Sequence, residues 1–271
     1  MPIRKLVPDV LDKVWGSSAT EPWLANPEGR KIGEIWFSAP EAMPVLIKFL
    51  FTSDRLSVQV HPDDVYARAC GHERGKTEMW HILRAEPGAT IALGLREAAT
   101  SEQVRAAALN GDIVDMLQWI PAQAGDTFFV PAGTIHAIGG GLAICEIQQL
   151  SDVTYRLFDY QREPVRPLHL EESLEVARLA PADGRRQAVA LAAGRELLAE
   201  CAHFRTELLS VDGSFQCVTT RGTAMYVAIR GEGTIADEPF RAGEAWLLPN
   251  ETPALEIASA SAEFIVASAH H

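Results

Sequence analysis

The stretch Ser57–Trp80, SVQVHPDDVYARACGHERGKTEMW, organises the chain around two predicted strands. Side chains of a strand point alternately to its two faces. In SVQVH this alternation places Ser57, Gln59 and His61 on one face and two valines on the other. The valine face can pack into a core. The opposite face then carries a hydroxyl, an amide and an imidazole in a row.

The end of the same stretch, GKTEMW, repeats the arrangement. Lys76, Glu78 and Trp80 share one face of this second predicted strand. Either strand alone is equally well explained as the solvated face of an ordinary sheet. A third stretch, around His136, supplies another imidazole. Together the three stretches favour a functional site.

Composition narrows the class of protein. The chain has 271 residues, 47% of them hydrophobic, which is enough for a sizeable core in one or two domains. Lys and Arg total 24 against 36 Asp and Glu, so the net charge is −12. This balance argues against a nucleic-acid partner, because binding DNA or RNA needs a basic surface. An anionic substrate would have to be met by locally placed cations.

Other features indicate the compartment. No apolar run approaches the roughly 20 residues of a membrane span. The N-terminal segment MPIRKLVPDVLDKVWG lacks the apolar core of a signal peptide. The four cysteines form no CxxC pair and no dense framework. We therefore expect a cytoplasmic protein that binds neither nucleic acid nor membrane.

Short apolar runs broken by proline and glycine predict many strands, among them KIGEIWF, VLIKFLF and GLAICEIQQL. From about residue 190 onward such runs follow one another closely, which is typical of a sandwich or barrel. Helices are predicted at SEQVRAAALNG, where Thr100 and Gln103 fit a capping box, and at DIVDMLQWI before Pro121. A further amphipathic helix, LHLEESLEVARLA, precedes the turn-rich linker PADGRRQ.

One internal repeat is visible. Gly125–Pro131 and Gly243–Pro249 share the spacing Gly-x5-Pro around an apolar run, FFV in one copy and WLL in the other. Five residues beyond the first proline is His136, and five beyond the second is Ala254. The repeat indicates two related β-barrels, of which one carries the imidazole.

Gln59, His61, Glu78 and His136 form a candidate metal set. Two imidazoles and a carboxylate suit zinc, iron or manganese, and an amide oxygen can complete the shell. Each histidine alone is better explained as a structural residue. The spacing Gly-x5-Pro-x-Gly-x2-His, which ends at His136, favours the metal.

That spacing resembles the second motif of the cupin superfamily. The first cupin motif usually pairs two histidines one residue apart, and this chain has Gln59-x-His61 instead. With SVQVHPDD, GKTEMW, PAGTIHAIGGG and SDVTYRLFDY, the chain resembles the type I mannose-6-phosphate isomerase family in its shorter bacterial form. The resemblance covers most of residues 1–165. The C-terminal part resembles the family only in its second, degenerate barrel.

The resemblance implies a mainly β fold of two cupin-like (jelly-roll) β-barrels with a small helical insertion. Residues 1–165 would form the catalytic, metal-binding domain, with the insertion near 100–118. Residues 166–189 would form a helix and linker. Residues 190–271 would form the degenerate second barrel, without a metal site.

The resemblance also implies site residues. One zinc ion per chain would be held by Gln59, His61, Glu78 and His136. Ser57, Lys76, Glu146, Asp152 and Arg156 would line the sugar phosphate site. Within that set, we expect Lys76, Arg156 and Glu146 to be catalytic, and Ser57, Asp152 and Arg156 to bind the substrate. Longer members of the family carry a lysine after the arginine matched by Arg156, where LFDYQR here offers Arg162.

The residues themselves support three of these roles. Lys76 shares a strand face with Glu78, although a lone lysine is usually a solvated charge. Arg156 offers a fork that suits phosphate, but it could equally form a surface ion pair with a nearby aspartate. Glu146 lies in the apolar run AICEI, where a buried carboxylate must be paired or used unless it faces solvent.

The expected activity is interconversion of mannose 6-phosphate and fructose 6-phosphate, with a proton moved between C1 and C2 through an enediol intermediate. The base could be a carboxylate or Lys76. Two alternatives remain open: an iron-dependent cupin dioxygenase, which the neutral ligand Gln59 disfavours, and a non-catalytic sugar-binding cupin, which Lys76 beside Glu78 disfavours.

Overall fold

Strands account for most of the regular structure, and the prediction of a mainly β fold is confirmed. The computed structural model describes residues 3–192, 194–217, 222–250, 252 and 254–269. The strands are, in chain order, β1 (Arg4–Lys5), β2 (Asp9–Ser17), β3 (Ile32–Ser38), β4 (Val45–Thr52), β5 (Val58–Val60), β6 (Glu78–Ala85), β7 (Thr90–Leu95), β8 (Leu117–Pro121), β9 (Thr127–Val130), β10 (His136–Ile138), β11 (Leu142–Gln149), β12 (Tyr155–Phe158), β13 (Arg185–Arg186), β14 (Val189–Ala192), β15 (Arg195–Glu200), β16 (Phe204–Cys217), β17 (Ala224–Arg230), β18 (Glu232–Ile235), β19 (Glu238–Arg241), β20 (Ala245–Leu248) and β21 (Leu255–Ala269). The helices are α1 (Asp64–Ala69), α2 (Ser101–Asn110), α3 (Ile113–Met116) and α4 (Leu170–Val176).

The strands form three antiparallel sheets. The first, here called the inner sheet, has the order β13-β9-β6-β11-β4-β2-β3. The second, the site sheet, has the order β12-β5-β10-β7-β8. The third, the C-terminal sheet, runs β1-β20-β17-β21-β16-β15-β14, with β18 joining β21 to β19. No sheet closes on itself within the described residues, so the two closed barrels stay a prediction.

The apolar clusters show how these sheets stack. Trp80 and Ile144 of the inner sheet pack against Ile91 and Leu93 of the site sheet. The outer side of the site sheet is covered by helices, and Val58 and Val60, the predicted core face of SVQVH, are fully buried there. The outer side of the inner sheet packs on the C-terminal sheet. The strands that carry the predicted metal ligands belong to these two facing sheets: β5 and β10 to the site sheet and β6 to the inner sheet.

The inner and C-terminal sheets share one core. Phe49 of β4 belongs to the same cluster as Phe204 and Ile265 of the C-terminal sheet. The N-terminal end of the chain also crosses over, because β1 pairs with β20 and Trp23 Nε1 donates to the carbonyl of Ile229 at 2.8 Å. The N-terminal segment thus helps to build the C-terminal sheet.

The helical insertion contains one helix as predicted, whereas a second helix is shorter than predicted. α2 begins with the expected capping box, in which Gln103 N donates to Thr100 Oγ1 at 3.3 Å, and it ends at Gly111 with φ +93°. The prediction of a helix over DIVDMLQWI was wrong in its second half. The helix stops at Met116, and Leu117–Pro121 is strand β8. Pairing of β8 with β7 outweighs the local helical pattern there.

The Gly-x5-Pro repeat adopts the same local structure twice. Gly125 and Gly243 have φ of +91° and +92°, and each precedes a four-residue strand, β9 or β20. Among the described residues, no helix is long and apolar enough to cross a membrane.

Candidate metal and substrate site

His61, Glu78 and His136 converge from three different strands. His61 follows β5, Glu78 begins β6 and His136 begins β10, and one ligand atom of each lies within 4.8 Å of the others. The carboxylate is 3.5 Å from Nε2 of both histidines. All three side chains are 1% exposed. The structure thus brings these three predicted metal ligands together inside the protein.

Backbone carbonyls determine how the two imidazoles are oriented. His61 Nδ1 lies 2.9 Å from the carbonyl oxygen of Val153, and His136 Nδ1 lies 2.9 Å from that of Thr134. A carbonyl only accepts, so each Nδ1 carries the proton and each Nε2 presents a lone pair to the cluster. The Pro131–Gly133 turn adds support, because Gly133 N donates to the carbonyl of His61 at 2.8 Å.

The cluster has the chemistry of a site for a divalent cation. His61 Nε2 and Glu78 Oε2 are buried and have no hydrogen-bond partner in the described part of the chain. Burial lowers the pKa of His61 well below its usual range and that of His136 to about 4, which keeps both rings neutral. Burial also raises the pKa of Glu78 to about 8. A cation would satisfy these atoms, and two imidazoles with one carboxylate suit zinc.

Gln59 lies at the edge of the cluster. It pairs with His136 across β5 and β10, and its Nε2 is 3.2 Å from His136 Nε2. Its Oε1 accepts from Ser57 Oγ at 3.0 Å. Rotating the amide by 180° exchanges the two atoms and turns the oxygen toward the cluster. The predicted fourth ligand is therefore within reach, in a rotamer that faces the histidines.

An open cavity adjoins the cluster. Of the residues predicted to bind substrate or take part in catalysis, Ser57, Lys76, Asp152 and Arg156 line it. Gln59, a predicted metal ligand, also lines it. The remaining polar residues on its wall were not predicted: Lys13, Glu34, Trp36, Lys48, Thr154 and Arg166.

Two buried lysines beside this cavity are each paired with a buried carboxylate. Lys48 Nζ is 3.3 Å from Glu146 Oε1, and Lys76 Nζ is 3.5 Å from Glu78 Oε2. Glu146 Oε2 also accepts from Trp80 Nε1 at 3.0 Å. The first pair follows from strand register, because Glu146 on β11 lies directly opposite Lys48 on β4. Glu146 is thus buried and paired, as its position in an apolar run requires.

These pairs shift the pKa values in different directions. Burial works to raise the pKa of Glu146, but Lys48 and Lys76 outweigh it and lower that pKa. Burial lowers the pKa of Lys48, with help from repulsion by Lys76. Burial also acts to lower the pKa of Lys76, but Glu78 and Glu146 outweigh it and raise that pKa.

Lys48 is the principal residue that sequence reasoning missed. It was included only as part of the strand VLIKFLF, which is buried at every position. A lysine in an otherwise apolar run is the signal that could have found it, because a buried charge needs a partner or a use. The residue also lies 4.6 Å from the ring centre of Trp36.

The three arginines near the cavity have different partners. Arg156 makes no ion pair within 4 Å with a described carboxylate, and its Nε is buried without a partner. Its pKa is lowered by burial and by the neighbouring Arg166. Arg166 is held by Asp159, with contacts of 2.7 and 2.5 Å. Arg162 pairs with Asp54 at 3.2 Å and with Asp159 at 3.7 Å, and it is not on the cavity wall.

The chain is similar in sequence to bacterial mannose-6-phosphate isomerases. No protein-family model matches the chain. A mannose-6-phosphate isomerase of Streptococcus mutans is 37% identical over 223 residues, covering 79% of this chain and 70% of the relative. A mannose-6-phosphate isomerase of Bacillus subtilis is 37% identical over 222 residues, covering 77% of this chain and 70% of the relative.

Solved structures are similar over the whole length. The mannose 6-phosphate isomerase from Bacillus subtilis superposes with a TM-score of 0.88 at 25% identity, covering 97% of this chain and 98% of that chain. A zinc-bound mannose 6-phosphate isomerase shares the fold with a TM-score of 0.79 at 16% identity, covering 99% and 100% of the two chains.

Proposed function

The chain belongs to the mannose-6-phosphate isomerase family, and we propose that it interconverts mannose 6-phosphate and fructose 6-phosphate with one zinc ion per chain. The observation that carries this proposal is the buried His61–Glu78–His136 cluster beside a cavity lined by several cations. The relatives are isomerases, so the comparisons do not favour the dioxygenase or the non-catalytic sugar-binding protein.

His61, Glu78 and His136 would hold the zinc, and the amide oxygen of Gln59 would complete the set. Bound zinc supplies Lewis-acid polarisation of the sugar's carbonyl and hydroxyl oxygens. The protein contributes the orientation of the ligands, because the carbonyls of Val153 and Thr134 hold both Nε2 atoms toward the same point.

The reaction moves a proton between C1 and C2, so a side chain in the cavity must take it up and return it. Lys48 and Lys76 are the two buried amines on the cavity wall. We assign the proton transfer to Lys48, which burial favours in its neutral form and whose ammonium form Glu146 stabilises at 3.3 Å. Lys76 would donate a hydrogen bond to the substrate oxygen that gains charge in the enediol.

The phosphate would be bound by Arg156 and Arg166. Two guanidinium groups near one another repel unless an anion lies between them, and both line the cavity. Asp159 holds Arg166 through two contacts and leaves its remaining N–H groups free to donate. Ser57 and Asp152 would hydrogen-bond the sugar hydroxyls.

The C-terminal sheet would be a degenerate second jelly-roll barrel, with residues 166–189 as the connection between domains. Its interior is filled by large apolar side chains such as Phe240, Trp246 and Phe264. The described His, Cys, Asp and Glu residues form only one group close enough to hold a metal, and that group lies in the N-terminal part. These features support a single zinc site per chain.

The proposal is tested by a coupled assay that follows fructose 6-phosphate formation from mannose 6-phosphate with zinc-loaded protein. Glu78→Ala serves as the comparison, because it removes the carboxylate shared by the cluster. We expect turnover by the wild-type protein and its loss in the variant. Zinc-loaded wild-type protein without turnover would refute the assignment.

A further inference from the structure

The segment Gly75–Thr77 carries Lys76 to the cavity, but it belongs to no strand or helix. It is held instead by side chains that are not on the cavity wall. Gln149 Oε1 accepts from Thr77 N at 2.9 Å, and Gln149 Nε2 donates to Asp64 Oδ1 at 2.8 Å. Gln149 is 3% exposed, and neither it nor Asp64 lines the substrate cavity.

Every N–H group of this segment is bound. Gly75 N donates to Asp64 Oδ1 at 2.8 Å, and Lys76 N donates to the carbonyl of Pro62 at 3.0 Å. Thr77 N donates to the side chain of Gln149, and the backbone N–H of Gln149 donates to the carbonyl of Thr77 at 3.1 Å. A Cβ at Gly75 would lie 2.5 Å from the carbonyl oxygen of Pro62, so the segment lies directly against the start of α1. Three consecutive donors are thereby satisfied without any sheet.

The neighbouring metal ligand does not depend on this support. Glu78 is the first residue of β6 and is paired with Val130 on one side and Gln148 on the other. Lys76 lies outside any strand, and a lysine side chain is a flexible chain of four carbons. Its ammonium position therefore depends on the backbone that Gln149 and Asp64 hold.

We propose that Gln149, acting with Asp64, is a positioning residue for the isomerisation: it determines where Lys76 stands in the cavity. This inference rests on the proposed function, in which Lys76 contacts the substrate. A side chain displaced by about 1 Å can lower a rate by roughly a hundredfold, so a residue outside the cavity can control turnover.

The variant Gln149→Met removes both side-chain hydrogen bonds at nearly constant shape. We expect kcat to fall by roughly ten- to a hundredfold, with KM and zinc content close to those of the wild type. Thr52→Val is the matched control. It removes two buried hydrogen bonds, to the carbonyl of Gly139 at 2.7 Å and from Leu142 N at 3.0 Å, at the opposite end of β11. That end is about 23 Å away along the strand. The control should lower thermal stability and leave kcat unchanged.

A second comparison separates positioning from general damage. In a Lys76→Met background, adding Gln149→Met should lower kcat no further, because the group to be positioned is already gone. A further fall as large as in the wild-type background would overturn the inference. So would wild-type kcat in Gln149→Met, or an equal loss in Thr52→Val. If Gln149→Met does not fold, Gln149→Asn, which retracts the amide by one carbon, is measured in the same way. Wild-type protein inactive on mannose 6-phosphate would instead refute the proposed function.

Discussion

Single carbonyl contacts give the buried histidines of the site their role. An imidazole whose Nδ1 donates to a carbonyl has only Nε2 left for a ligand, and both Nε2 atoms here face Glu78. The two lysines beside them are distinguished by their carboxylate partners, Glu146 for Lys48 and Glu78 for Lys76. The charge states of the two lysines therefore depend on carboxylate contacts that a single substitution can remove.

Lys48→Met tests the assignment of proton transfer. The variant removes the amine and keeps most of the side-chain length, so kcat should fall by about two orders of magnitude or more, the usual scale for losing an acid–base group. Zinc content should not change, because Lys48 contacts no member of the metal cluster. The coupled assay and metal analysis check both. A variant that keeps its turnover would move the proton transfer to Lys76 or Glu146.

Arg156→Ala tests the phosphate site. Loss of a desolvated charged hydrogen bond should lower kcat/KM for mannose 6-phosphate. The loss should correspond to roughly 2–4 kcal/mol of transition-state stabilisation. Any activity on unphosphorylated mannose should change much less. Arg185→Ala is the control, since Arg185 pairs with Asp126 at 2.9 Å away from the cavity wall. An equal loss on both sugars would show that Arg156 positions the sugar ring or holds the fold.

The residues of the metal cluster could be predicted from the sequence, but not all the residues of the cavity wall. Strand alternation and motif spacing marked His61, Glu78 and His136 as candidate ligands, and the family resemblance implied that they meet at one metal. Lys48 is brought to Glu146 by strand register, which sequence periodicity does not specify. Arg166 reaches the cavity from an irregular segment that has no periodicity to read.

Turns rather than strands set the positions of the site elements. The Pro131–Gly133 turn delivers His136 to β10 and binds the residue His61 through Gly133 N. Gly133 has φ +85°, which a residue with a side chain adopts only with strain. A Cβ there would also lie 3.0 Å from the carbonyl oxygen of Val176, the last residue of α4.

Gly133→Ala should therefore destabilise the protein by about 1–2 kcal/mol through left-handed strain and weaken zinc binding at the same time. Thermal unfolding with and without a chelator measures both effects. Gly125→Ala is the control, because Gly125 has φ +91° but open space around its Cα. The control should cost stability without altering zinc affinity. Equal zinc affinity in the two variants would mean that the turn does not support the ligands.

Element types were predicted better than element ends. The segments β3, β4 and β11 lie where apolar, β-branched runs indicated strands. The segment Leu117–Pro121 was predicted as helix because its pattern is compatible with one, and only its pairing with β7 makes it a strand. The helix predicted at LHLEESLEVARLA is shorter than its pattern, since α4 ends at Val176 and Arg178 N donates to the carbonyl of Gly133.

The whole molecule is a stack in which each sheet covers the next. The inner sheet contributes to an apolar cluster on each side, with the site sheet on one side and the C-terminal sheet on the other. The repeat in the sequence suggested two related halves, but it could not show that β1 joins the C-terminal sheet, because such pairing depends on long-range contacts. The stack places the metal cluster in the N-terminal half and fills the other half with apolar side chains.

We propose that one zinc ion in the His61–Glu78–His136 cluster supports isomerisation. The most direct measurement is the rate of fructose 6-phosphate formation from mannose 6-phosphate as zinc is titrated back into chelator-treated protein. We expect no rate at the start, then a linear rise and a break at one equivalent of zinc per chain. Full activity without added metal, or a break at two equivalents, would contradict it.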